Sequence, residues 1–140
     1  MNTFKKIEEL RAELLKHRLK NKKIGLVPTM GALHQGHISL VEKAREKSDV
    51  VAVSIFVNPT QFNNSEDLEK YPRNLERDLS LLLEAGCDIV FAPEVAEMYS
   101  SKHDLKINFG ALENSLEGKF RPGHFSGVGQ IVSKLFNIFQ

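Results

Sequence analysis

The run Val50-Val51-Ala52-Val53-Ser54-Ile55-Phe56-Val57 constrains the fold more than any other stretch of the chain. It is largely β-branched, lacks polar alternation and stops at Pro59. Such a strand is covered on both faces, as central strands of parallel sheets are. Two shorter apolar runs accompany it: residues 24–27, Ile-Gly-Leu-Val, stopped by Pro28, and residues 88–91, Asp-Ile-Val-Phe, before Pro93. Helical spacing fills the gaps between them. Residues 36–47 turn Ile38, Val41 and Ala44 inward, and residues 74–84 carry Leu75, Leu79, Leu82 and Leu83 ahead of a stop at Gly86. The order strand, helix, strand, helix, strand predicts an α/β fold, a Rossmann-like doubly wound parallel sheet with right-handed crossovers.

The ends of the chain add helices. Phe4, Ile7, Leu10, Leu14 and Leu15 recur among charged residues, predicting an amphipathic helix over residues 5–19. Val128, Ile131, Val132, Leu135, Phe136 and Phe139 predict another over 128–139, with an apolar stripe expected in the core. A short strand is expected near residues 105–109. With 140 residues and no internal repeat, residues 1–140 are expected to form one domain.

Charge excludes some partners. Nineteen basic residues against 18 acidic ones give a net charge of +1, which offers no field for nucleic acid or an anionic membrane surface. No apolar run approaches the roughly 18–20 residues of a membrane span, and the charged start is unlike a signal peptide. Cys87 is the single cysteine, so no intramolecular disulfide forms, and a cytoplasmic location is expected. Its place beside an apolar strand marks it as a buried, inert thiol.

Chemistry concentrates in Pro28-Thr29-Met30-Gly31-Ala32-Leu33-His34-Gln35-Gly36-His37, between the first strand and the next helix. In an open α/β sheet, ligands sit outside the carboxyl ends of the strands. Unpaired N–H groups and the helix dipole favour an anion there. His34 and His37 fall on one side of the first turn, where both rings can donate to phosphate oxygens. Gly31 and Gly36 leave room for a nucleotide to approach. Neither the lysine-bearing phosphate loop nor G-x-G-x-x-G is present. A plainer alternative stays open, in which one histidine caps the helix and the other is an ordinary surface residue. No nearby cysteine or carboxylate completes a metal-ligand set, so no metal ligands are assigned.

Asn58 and Gln61 stand just past the central strand, where their amides can reach the same crevice and both donate and accept. The alternative is a simple turn opened by Asn58-Pro59. Tyr71, Arg73 and Asp78 lie near the next helix and could help form the site or coordinate magnesium, though none is assigned a catalytic role. Lys119, Arg121 and His124 make a small basic cluster suited to phosphate or carboxylate oxygens, with a solvated loop charge as the plainer alternative for each.

Taken together, Pro-Thr-Met-Gly-Ala-Leu-His-x-Gly-His, then Ser54 to Phe62, Tyr71-Pro72-Arg73 and Leu116 to Phe125 resemble successive motifs of the pantothenate synthetase family. H-x-G-H alone would point only to the wider nucleotidyltransferase superfamily. The resemblance implies condensation of pantoate with β-alanine through a pantoyl adenylate, with ATP as substrate and Mg2+ as its companion ion. It implies that Pro28 to His37 hold ATP, that His37 and His34 are catalytic with His37 as proton donor, that Gln61, with Asn58, contacts pantoate or β-alanine, and that Arg121 or His124 touches nucleotide or substrate. The chain ends at Gln140, before the family's later K-D-x-Q-Q element, its S-R-N loop and its smaller C-terminal domain. The resemblance therefore implies a sheet incomplete at its C-terminal end, little turnover by this piece alone, and either association, as in the family's homodimer, or poor stability.

Two other readings compete. One is a nucleotidyltransferase acting on another small acceptor; the other is a nucleotide-binding module without turnover.

Overall fold

The computed structural model describes residues 1–62, 64–100 and 124–140. The strand expected at 105–109, Lys119 and Arg121 lie outside the described residues. The elements run β1 (Asn2–Phe4), α1 (Ile7–Arg18), β2 (Ile24–Thr29), α2 (Gln35–Lys47), β3 (Val50–Ile55), a 3-10 turn (Pro59–Gln61), α3 (Ser65–Lys70), α4 (Leu75–Glu84), β4 (Ile89–Phe91), α5 (Val95–Met98) and α6 (His124–Ile138). The four strands pair in parallel in the order β1-β4-β3-β2. The expected α/β architecture with a parallel sheet is what the chain adopts.

Alternation along β3 explains why the sheet has helices on both sides. Val50, Ala52 and the following Phe56 join a core with Leu10 and Leu14 of α1 and Ile131 and Leu135 of α6. Val51 and Val53 join the opposite core with Val41 of α2 and Leu82 of α4. Every residue from Val50 to Ser54 is buried, the two-sided coverage that the β-branched run demands.

Three helical residues expected to turn inward do not. Leu15, Leu83 and Phe136 are 54%, 61% and 56% exposed. Each follows a buried neighbour, Leu14, Leu82 and Leu135, and one step along a helix swings a side chain about 100° off the buried face. Leu75, at 37%, is also exposed, at the first position of α4.

Sequence spacing also missed β1, α3 and α5. β1 exists through its partner, since Asn2 N–H donates to Asp88 O at 3.0 Å and Ala92 N–H to Phe4 O at 2.8 Å. β2 runs two residues beyond the expected end at Val27, through Pro28 to Thr29. A proline has no N–H for a ladder, but β2 lies at the edge of the described sheet, where prolines are tolerated. The carboxyl ends of β2 and β3 face a common crevice, and the loops leaving them build the site.

Candidate functional site

Residues 30–34, between β2 and α2, are fixed by bonds from outside their own segment. Thr29 Oγ1 donates to Ser54 O at 2.8 Å and accepts from Gly31 N–H at 3.2 Å. Gly31 and Ala32 then adopt positive φ angles of 80° and 50°. Asp78, buried in the first turn of α4, secures that bend: Oδ2 accepts from Ala32 N–H at 3.0 Å and Oδ1 from Leu33 N–H at 2.9 Å. The Arg77 guanidinium donates to Leu33 O at 3.0 Å, and the Leu33 side chain is buried in the α2/α4 core. Asp78 is thus a brace for the loop, with both oxygens engaged.

The bend delivers His34 as the N-cap of α2. Its Nδ1 accepts from Gly36 N–H at 3.1 Å, while His37 Nδ1 accepts from His34 N–H at 3.2 Å. The pair closes a reciprocal capping box, and the ring centroids stand 4.1 Å apart. Capping and a role in chemistry are therefore not alternatives for these histidines. A nitrogen that accepts an N–H carries no proton, so each neutral ring is the tautomer with its proton on Nε2. Both rings thereby have a donor directed away from the helix backbone. Burial, then the neighbouring His34 charge, pulls the His37 pKa below its ordinary 6.5, with Asp78 opposing. His37 is a neutral donor near pH 7. Gly36 makes the cap possible, because a Cβ there would lie 2.9 Å from His34 Cε1.

His37 lines a cavity of about 280 Å³ together with Pro28 and Thr29 at the end of β2, Met30 just after it, Gln61 and Tyr71. Its remaining wall is apolar, made by Phe56 and by Val128, Ile131, Val132 and Leu135 of α6. Gln61 is 6% exposed and its amide nitrogen lies 3.5 Å from Met30 Sδ. Asn58 stands apart from this lining. Fully buried, it donates from Nδ2 to Gly127 O at 3.1 Å and accepts at Oδ1 from Thr60 N–H at 3.3 Å and from the Tyr99 hydroxyl. The structure thus brings together His37, Gln61 and the Pro28–Met30 strand end, and places Asn58 behind them as a tie. A second, larger cavity of about 400 Å³ shares Met30 and Phe56 with the first and is lined by Arg73, Asp78 and Glu94 among others.

Sequence reasoning allowed Tyr71 to help form the site without a catalytic role, and gave the α6 stripe to the core alone. Helical spacing alone cannot separate a core stripe from one that also walls a cavity. Arg121 falls outside the described residues, and His124 enters only as the first residue of α6, its side chain likewise outside them. Cys87 is buried, and burial raises its thiol to about 11, in keeping with an inert residue. Among the described residues no cluster of three or more His, Cys, Asp or Glu could hold a metal ion, and no helix is long and apolar enough to cross a membrane.

Comparison with known proteins bears on the same residues. The family model described as Pantoate-beta-alanine ligase matches residues 2–140. The pantothenate synthetase of Cytophaga hutchinsonii is 53% identical over 140 residues, all of this chain and 50% of that protein. That of Aquifex aeolicus is 57% identical over 137 residues, 98% of this chain and 49% of that protein. The crystal structure of pantothenate synthetase from Thermus thermophilus superposes with a TM-score of 0.90 at 47% identity, covering 100% of this chain and 49% of that one. A Francisella tularensis pantoate-beta-alanine ligase, complexed with beta-gamma ATP and beta-alanine, does so with a TM-score of 0.92 at 46% identity, covering 99% of this chain and 53% of that one. The chain spans about half the length of the curated relatives it matches. With its parallel sheet, its histidine-capped helix and a family match along nearly its whole length, the chain belongs to the pantoate-beta-alanine ligase family.

Proposed function

We propose that the protein of which this chain forms a part condenses pantoate with β-alanine at the expense of ATP, and that this chain supplies the pocket in which pantoate is activated. The pantoate carboxylate attacks the α-phosphorus of ATP and pyrophosphate departs. The amine of β-alanine then attacks the acyl carbon of the pantoyl adenylate, loses a proton and displaces AMP. The Francisella tularensis relative was crystallised with beta-gamma ATP and beta-alanine, which supports the substrate assignment.

The observation that carries the reading is the single cavity that joins His37 to Gln61. Pantoate is a small acid with two hydroxyls and two methyl groups on one carbon. Gln61 can donate to its carboxylate and accept from its hydroxyls, while Val128, Ile131 and Val132 suit the methyls. The triphosphate lies across the start of α2, over the segment Pro28 to His37, where Gln35 and Gly36 open the helix. His34 and His37 donate from Nε2 to oxygens that gain charge as pyrophosphate leaves, and no reorganisation is needed because the capping box has already oriented both rings. Asn58 contributes by holding the Gln61 turn.

No magnesium ligand is assigned to this chain: among the described residues no three His, Cys, Asp or Glu side chains form a metal-holding group, and both Asp78 oxygens already accept backbone N–H groups. No step is assigned to the ion, which accompanies the nucleotide. A reducing cytoplasm suits the lone buried Cys87, and the edge position of β2 is compatible with pairing to further chain or to a second copy in a homodimer.

Exchange of labelled pyrophosphate into ATP, measured on the whole protein, tests the proposal. Exchange that depends on pantoate is the expected result. Exchange that needs a different acceptor would favour the nucleotidyltransferase reading, and nucleotide binding without exchange would favour a module without turnover.

A further inference from the structure

We propose that Tyr99 is a positioning residue for the acid-binding cavity, acting through Asn58 on the turn that carries Gln61. Tyr99 follows α5 and is absent from the cavity lining. Its ring is fixed from two sides: Lys134 Nζ sits 4.0 Å from the ring centroid, and the Phe56 ring centroid lies 6.4 Å away. Lys134 is itself anchored, donating to Met98 O at 3.2 Å. The Tyr99 hydroxyl is hydrogen-bonded to Asn58 Oδ1 and stands 3.4 Å from Thr60 Oγ1.

Asn58 is the junction of three elements. It caps the 3-10 turn through Thr60 N–H, reaches α6 through Gly127 O and receives the Tyr99 hydroxyl from α5. The turn and α6 meet almost backbone to backbone, because a Cβ on Gly127 would lie 2.7 Å from Thr60 O. Gln61 ends that turn, and Val128 follows Gly127 directly, so both walls of the cavity leave from the two sides of this contact. The spacing between the Gln61 amide and the apolar wall is set there. The hydroxyl of Tyr99 supplies one of the two donors to a fully buried acceptor, and its loss leaves Asn58 free to reorient. The His34/His37 side of the site is held separately, by Asp78 and Arg77 of α4.

That separation gives a distinctive test in the whole protein, and the inference rests on the reading that this cavity takes pantoate. Tyr99→Phe keeps the ring and its packing and removes only the hydroxyl. The expected result is a rise of about tenfold in KM for pantoate with KM for ATP unmoved, the effect of losing one buried hydrogen bond in a positioning network. In a Gln61→Ala background the same substitution should add almost nothing, since its effect passes through Gln61. A Gln61→Ala variant with unchanged KM for pantoate would overturn both the cavity assignment and this inference. If Gln61→Ala raises that KM but Tyr99→Phe leaves it alone, raises the ATP value equally, or acts additively, the positioning role alone is overturned. Should Tyr99→Phe not fold, Thr60→Val, which withdraws the other hydroxyl near Tyr99, must raise KM for pantoate selectively; an unchanged value then overturns the inference.

Discussion

Ala32 holds a left-handed φ of 50° while its N–H donates 3.0 Å to Oδ2 of Asp78. A non-glycine residue in that region is strained by roughly 1–2 kcal/mol, and it persists where the surroundings over-determine it. Here the surroundings are a buried carboxylate that also takes the next N–H, and a Leu33 side chain that is locked in the core. Asp78→Asn replaces one acceptor oxygen with a donor facing an N–H. The expected loss is about 2 kcal/mol of stability by denaturant unfolding, with a fall in adenylate formation, because the loop that aims His34 and His37 loosens. Unchanged stability and rate would show that the brace is dispensable.

Gly36 separates cap geometry from overall stability. A Cβ there meets His34 Cε1 at 2.9 Å and Nδ1 at 3.0 Å, so Gly36→Ala should push the imidazole off the cap. Pyrophosphate exchange should drop more than the modest stability of about 1 kcal/mol that a helix cap contributes would explain. Gly31→Ala behaves differently, because a φ of 80° and contacts at 3.1 Å to Asp78 and 3.2 Å to Ile55 oppose any side chain. It should destabilise the fold by about 1–3 kcal/mol, read from the melting transition.

His37 should also make the chain acid-sensitive in a defined direction. The folded pKa of His37 lies below the ordinary 6.5, so below pH 6.5 the unfolded chain binds the proton first. Its contribution to stability is complete above pH 6.5 and is lost as pH falls from there towards the folded pKa. Protonation at Nδ1 would also break the bond from His34 N–H. An NMR titration of the ligand-free chain should place His37 below 6.5, with stability declining under acid; a pKa above 6.5 would contradict the burial assigned to the ring.

Removing the donor should act on the chemical step. His37→Ala in the whole protein is expected to slow adenylate formation by about 10²–10³ while changing pantoate affinity less. Stopped-flow or exchange kinetics against equilibrium binding measure the two separately. A large loss of pantoate binding with the rate preserved would reassign the histidine to substrate holding.

The sheet was legible because Val50 to Ser54 is apolar enough to require cover on both faces, and the strand-to-helix junction within Pro28 to His37 was legible because glycine, histidine and a helix start occur together. β1 was hidden since Asn2-Thr3-Phe4 becomes a strand only through pairing with β4, a partner distant in sequence. Asn58 and Gln61 looked equivalent, two amides past one strand, and only the packing of α6 and Tyr99 separates the buried tie from the cavity wall. Asp78 drew notice as a possible metal or substrate contact, yet a carboxylate aimed at backbone N–H groups leaves no spacing pattern to read. The α6 stripe shows the same limit from the apolar side, since Ile131 and Leu135 serve core and cavity together.

The most direct measurement is a crystal structure of the whole protein with a non-reactive pantoyl-adenylate mimic. The pantoyl group is expected between Gln61 and the α6 wall, with the phosphate within hydrogen-bond reach of Nε2 on His34 or His37. Finding the pantoyl group in the larger cavity beside Arg73 and Glu94, or both imidazoles turned away from the phosphate, would contradict that arrangement.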